Sequence, residues 1–265
     1  MNRGIMTLSL MIALALSLDS AQAAPMAEEI MRNNFFATKT QLLVTDATMV
    51  LINDKGQQRE RKTTTLSKLQ QDGVNLKLVV RFDAPVDVRG TTFLQIQHLE
   101  TDDDMWIFLP ALKKTRRLVA NNKRDSFVGT DFSYGDILTL KPETFDHALI
   151  GSKPMNGNDC YVVESVPKTA ALLNDIGYAK KISWIRQDNF MEVMVEYYDE
   201  DGQLYKTQTT ADHKMLEAEP QRWIALRREM VNHQSQHKTI VTFNKTDTSG
   251  AIPDGAFTTR AIERE

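Results

Sequence analysis

Apolar residues recur at every second position through most of this chain, and that period commits it to β-structure. The clearest run puts Val74, Leu76, Leu78, Val80 and Phe82 on one face, with Asn75, Lys77, Val79 and Arg81 on the other. A second sets Met191, Val193, Val195 and Tyr197 against Glu192, Met194, Glu196 and Tyr198. Residues 42–52, 91–98, 105–109, 178–185, 204–210, 223–231 and 238–245 are also predicted as strands. Between them stand Asn53-Asp54-Lys55-Gly56, Gln71-Asp72-Gly73, Asn156-Gly157-Asn158-Asp159 and Asp199-Glu200-Asp201-Gly202. Gly, Asn and Asp tolerate the positive φ of tight hairpins. Turns this short join antiparallel neighbours, because parallel pairs need a long crossover.

Helix signals are few. Ala27, Ile30, Met31 and Phe35 form an apolar stripe. Residues 133–140 suit a short helix stopped by Pro142, and residues 168–176 a second one ending at Gly177. No repeat, linker or composition shift divides the chain. The prediction is a mainly β (α+β) domain, one large antiparallel sheet with short helices against it. A sheet of about ten strands must curl or close to protect its edges.

Residues 1–23 read as a signal peptide. Arg3 supplies a positive start, residues 5–18 an apolar stretch, and Ala21-Gln22-Ala23 a small-x-small cleavage site. That stretch is short for the roughly 20 residues of a membrane span. Cleavage after Ala23 leaves residues 24–265 as a single domain, expected to be exported and soluble in the periplasm.

Composition narrows the functions. A formal net charge of −3 gives no electrostatic footprint for nucleic acid. The single cysteine, Cys160, excludes an internal disulfide. The chain has no G-x-S-x-G elbow, P-loop, G-x-G-x-x-G or H-E-x-x-H motif. His233 and His237 are predicted on a strand, roughly 13 Å apart at about 3.3 Å per residue, too far to share a metal. Asp102-Asp103-Asp104 lacks the alternating ligands and central glycine of a calcium loop. The expectation is a protein that is not an enzyme and uses neither metal nor cofactor.

Two adjoining features suggest a ligand. Residues 105–110 (Met-Trp-Ile-Phe-Leu-Pro) are apolar at every position, so both faces of that strand must be covered. Residues 111–124 then carry Lys113, Lys114, Arg116, Arg117, Lys123 and Arg124 and no acid. A basic rim beside an apolar wall suits an amphiphile with an anionic head.

At these residues, with Val86-Asp87-Val88-Arg89-Gly90-Thr91 before them and Ser126-Phe127-Val128-Gly129-Thr130-Asp131-Phe132-Ser133-Tyr134 after, the chain resembles the outer-membrane lipoprotein-sorting protein family. That family is a LolA-like branch of the lipoprotein-carrier superfamily. The resemblance runs from about Ala27 to the end. It implies an incomplete barrel, or strongly curved antiparallel sheet, closed by short lid helices over an apolar cavity. It also implies a periplasmic carrier of lipid or lipoprotein acyl chains, with an inner-membrane lipid exporter of the resistance-nodulation type and an outer-membrane receptor as partners. The cavity wall is expected from Leu76, Leu78, Val80, Phe82, Leu94, Ile96, Trp106 and Phe108. Contact with headgroup or partner is expected from Arg89, Lys113, Lys114, Arg116 and Arg117, with Arg89 and Arg116 as candidates for the superfamily's lid arginine. A monomer is expected. The alternative is a periplasmic sensor or adaptor that uses the same fold to bind a protein without carrying lipid.

Overall fold

The computed structural model describes residues 25–98, 101–119 and 123–264. The leader predicted at residues 1–23 lies outside them. The described chain forms thirteen strands: β1 (Leu42–Ile52), β2 (Gln58–Leu69), β3 (Leu76–Ala84), β4 (Thr92–Ile96), β5 (Asp104–Leu109), β6 (Lys114–Leu118), β7 (Phe145–Met155), β8 (Asn158–Pro167), β9 (Lys180–Arg186), β10 (Glu192–Tyr198), β11 (Leu204–Ala218), β12 (Gln221–Asn232) and β13 (His237–Asp247). They make one antiparallel sheet in the order β6-β5-β4-β3-β2-β1-β13-β12-β11-β10-β9-β8-β7. Every spatial neighbour is a sequence neighbour except at one seam, where β1 lies beside β13. The sheet is therefore two meanders joined through their first and last strands.

It does not close into a barrel, because β6 and β7 remain edges. It does curl. Phe93 of β4 and Tyr197 of β10 belong to one contiguous buried cluster, although seven strand spacings would hold them about 34 Å apart in a flat sheet. Residues 123–144, from the stretch between the two edge strands, cross this concave face as a strap. Phe127, Phe132, Tyr134 and Leu138 from the strap pack with Phe82, Phe93, Met105 and Ile107 from the sheet. Helix α1 (Ala27–Ala37) covers the other end, burying Ala27, Ile30 and Met31 against Val163 and Ile185. Short helices α2 (Tyr134–Ile137) and α3 (Ala170–Ile176) complete the lid side. The convex face of β3–β5 is covered by the C-terminal segment, whose Ile252, Phe257 and Ile262 bury Leu42, Val79 and Leu94; it ends in helix α4 (Thr259–Ile262).

Most predicted strands appear within a few residues of their expected bounds, and α1 and α3 lie where their apolar stripes placed them. Gly177 closes α3 at φ +75°. Strands β2, β6, β7 and β8 are not among those predicted. The second half of β2 reads Lys62-Thr63-Thr64-Thr65-Leu66-Ser67-Lys68-Leu69, which shows no apolar alternation, yet β-branched threonines suit a pleated strand. Strand β7 carries Gly151 and Pro154, which an edge strand tolerates. His233 does not lie on a strand with His237; the pair brackets the hairpin joining β12 to β13, where Asn232 Oδ1 accepts from the amides of Gln234 and Ser235.

Candidate functional site

Two cavities open side by side between the concave face and its lid. The first, of about 180 Å³, lies beneath α1 and the strap, against Met31, Phe35, Phe145, Tyr178 and Tyr197. The second, of about 190 Å³, has the seam strands as its floor, with Met49, Leu78, Val80, Val241 and Phe243, and Phe127 and Phe132 of the strap as its roof. Thr38, Ile137, Thr139 and Arg228 border both. Alternation explains the lining. Leu43, Thr45, Ala47 and Met49 of β1 point inward, while Leu42 and Val44 pack on the outer face. Thr63, Thr65 and Ser67 of β2 line the same floor with small polar side chains, which no apolar pattern announced.

Among the described residues, side chains of β2, β13 and β11 hold the middle of the strap to the sheet. Arg61 Nη1, from β2, donates to the carbonyl of Val128, next to Gly129 at φ +75°. Burial draws the Arg61 guanidinium's pKa below its ordinary value. From β13, Thr239 Oγ1 donates to Asp131 Oδ2 at 2.6 Å and accepts the Asp131 amide at 3.0 Å. Burial pushes that carboxyl's pKa up. Lys206 Nζ, from β11, meets Asp136 Oδ2 at 2.5 Å, and both side chains are 2% exposed. Asp136 also accepts the Ser133 amide at 2.7 Å in a capping box that starts α2. A buried ion pair whose remaining lone pairs are satisfied fixes geometry, and removing one partner leaves an uncompensated charge.

The expected wall divides between two faces. Leu76, Leu78 and Val80 line the second cavity, and Phe82 lies in the concave core beside Phe127. Leu94, Ile96, Trp106 and Phe108 face the other way, against the C-terminal segment. Register decides this. Val79, Leu94 and Trp106 stand opposite one another, as do Val80, Phe93 and Ile107. The inward residues of β4 and β5 are thus Phe93, Gln95, Met105, Ile107 and Leu109.

The basic residues are exposed at one edge of the sheet. Lys113 caps a 3-10 turn at φ +47° before β6. Lys114 and Arg116 stand opposite Leu109 and Ile107, on the concave side, whereas Arg117 stands opposite Trp106 and pairs with Asp104 at 2.5 Å. The His98 hydrogen bond, then Arg117, holds the Asp104 carboxyl below its usual range. Arg89 lines an outer groove with Val86 and Pro110. Arg61, which the sequence reading passed over because it sits among charged neighbours, is the arginine that meets the strap, while Arg89 and Arg116 are exposed. Among the described residues no His/Cys/Asp/Glu cluster is suited to a metal, and no helix is long and apolar enough to cross a membrane.

Solved structures share this architecture. A protein described as an outer membrane lipoprotein-sorting protein domain, from Vibrio parahaemolyticus, superposes with a TM-score of 0.82 at 28% identity, over 90% of this chain and 98% of its own. A DUF1329 family protein from Desulfovibrio piger gives 0.82 at 26% identity, over 89% and 97%. A LolA superfamily protein from Nitrosomonas europaea gives 0.68 at 19% identity, over 89% and 99%, and shares the fold. None of the curated proteins compared with the chain matches it. A family profile whose description reads only "uncharacterized protein" matches residues 75–264, and the chain belongs to that family, a LolA-like one.

Proposed function

We propose that residues 24–265 form one periplasmic carrier domain, which shields the acyl chains of a lipid or lipoprotein and passes them between membranes. The observation that carries this reading is the pair of roofed cavities on a concave sheet face, with a lid strap tied down by polar contacts. The Vibrio neighbour's description as lipoprotein-sorting supports the same class of cargo. The physical need is clear. Each buried CH₂ contributes roughly 0.8 kcal/mol, so a sixteen-carbon chain leaves a bilayer only if an apolar host offsets about 12 kcal/mol. No catalytic step is assigned: carriage makes and breaks no covalent bond.

Docking falls to the basic edge. Val86 is 87% exposed and Leu112 66%; Val86 lines the outer groove with Arg89 and Pro110, and Leu112 lies two residues beyond Pro110, directly before Lys113 and Lys114. Cations flanking apolar tips suit an anionic membrane surface or an acidic face of an exporter of the resistance-nodulation type. Mass spectrometry of organic extracts, made from protein isolated out of the periplasm, tests the reading. Co-purifying acyl lipid in near-stoichiometric amount is the expected result. A lipid-free protein held in a stable complex with another protein would replace the carrier by an adaptor.

A further inference from the structure

Six buried side-chain polar atoms lack a hydrogen-bond partner among the described residues, and four belong to residues lining the second cavity. They are Thr45 Oγ1, Thr63 Oγ1, Trp223 Nε1 and Arg228 Nε. Native interiors leave few such atoms, so their gathering around one space calls for a bound polar group. Arg228 dominates the set. It is the one charged side chain among the described residues lining this cavity. Its guanidinium lies over the Phe243 ring at 5.6 Å. The carboxylate whose field reaches it, Glu192, is engaged elsewhere, accepting from Ser183 at 2.9 Å and facing Lys181 at 3.8 Å. A buried guanidinium without a counter-ion is costly to keep, and burial accordingly draws its pKa down.

We infer that the second cavity receives the anionic oxygen head of an amphiphile, with Arg228 as counter-ion and Trp223 Nε1–H and the two threonine hydroxyls as further donors. The alkyl chain then lies against Met49, Leu78, Val80 and Phe243. A planar guanidinium fork matches a carboxylate or a phosphate equally well, so the head is an oxyanion of either kind. This rests on the carrier reading and adds the chemistry of the cargo.

The test is calorimetric titration of the lipid-stripped protein with dodecanoate, dodecyl phosphate and dodecanol, all below their micelle concentrations. Wild-type protein should bind at least one of the two anions about tenfold or more tightly than the alcohol. Arg228→Met should lose that preference while binding dodecanol as before, and Arg228→Lys should keep part of it. The thermal midpoint of unliganded Arg228→Met should equal or exceed that of wild type, since an unpaired charge has gone, and this separates lost recognition from misfolding. The anion that loses more affinity in Arg228→Met identifies the head. Equal binding of anions and alcohol by wild type, or a preference that survives Arg228→Met, would overturn the anchor and leave the carrier standing. Failure of all three to bind wild type would remove the carrier reading, and the anchor with it.

Discussion

Lys39 shows how far one side chain can depart from its usual state. It is 2% exposed, donates to the Val74 carbonyl at 2.7 Å and lies 4.1 Å from the Phe35 ring centroid. Burial lowers its pKa from 10.5 to about 8. The folded protein therefore binds fewer protons than the unfolded chain between those values, and stability rises with pH across that window. Comparing denaturant midpoints of wild type and Lys39→Met from pH 7 to 11 should isolate a gain of at most about 3.5 kcal/mol, at about 1.4 per unit. A flat difference would mean that Lys39 titrates normally. The tryptophans separate the two faces. Trp106→Ala should destabilise the fold by about 2–3 kcal/mol through lost packing on the outer face, and leave ligand affinity unchanged. Trp223, which lines the second cavity, should report a bound amphiphile by fluorescence once Trp106 and Trp184 are replaced by Phe. The opposite pattern would put the cavity on the wrong side of the sheet. Sequence could not decide this, because residues 105–109 of β5 are apolar at every inward and outward position and a single such run carries no parity.

At the scale of elements, alternation revealed strands whose two faces differ in polarity, which is why β1, β3 and β10 were legible. It failed for β2, where threonine and serine line a cavity and so need not be apolar. The C-terminal segment was illegible for a related reason. Its Ile252, Phe257 and Ile262 are spaced irregularly, and they find their place only against a surface that the rest of the fold provides. The strap is the element most open to test. Arg61→Met removes the charged donor to the Val128 carbonyl, a loss of about 1–3 kcal/mol. Amides from 127 to 138 should then exchange with deuterium about tenfold faster or more, with the strands unchanged. Uniform acceleration across the sheet would make Arg61 a general stabiliser rather than a tie for the strap.

The whole molecule presents the cluster of Arg89, Lys113, Lys114, Arg116 and Arg117 at one rim and its two roofed cavities on one face. Reversing Arg89, Lys113, Lys114 and Arg116 to Glu, while sparing Arg117 in its pair with Asp104, should weaken binding to anionic vesicles. At about 1 kcal/mol per charge near such a surface, the loss should exceed tenfold at low salt and shrink as salt is raised. The thermal midpoint should hardly move, since exposed charges contribute little to folding. Unchanged vesicle binding would assign those cations to solubility alone. The overall topology was only half legible: hairpin signals fixed the neighbours within each meander, but no local feature of residues 42–52 or 238–245 announces that these two segments pair.

That seam sets an order in time. Hairpins within each meander close short loops and can form as soon as their residues are available. The pairing of Val44 with Asp247 must wait for a segment about 200 residues further along the chain. Because the floor of the second cavity comes from both sides of the seam, this cavity cannot exist until β13 has joined β1. A chain halted before His237 would hold two half-formed ribbons with their apolar faces bare, ready to adhere to any chaperone or membrane within reach.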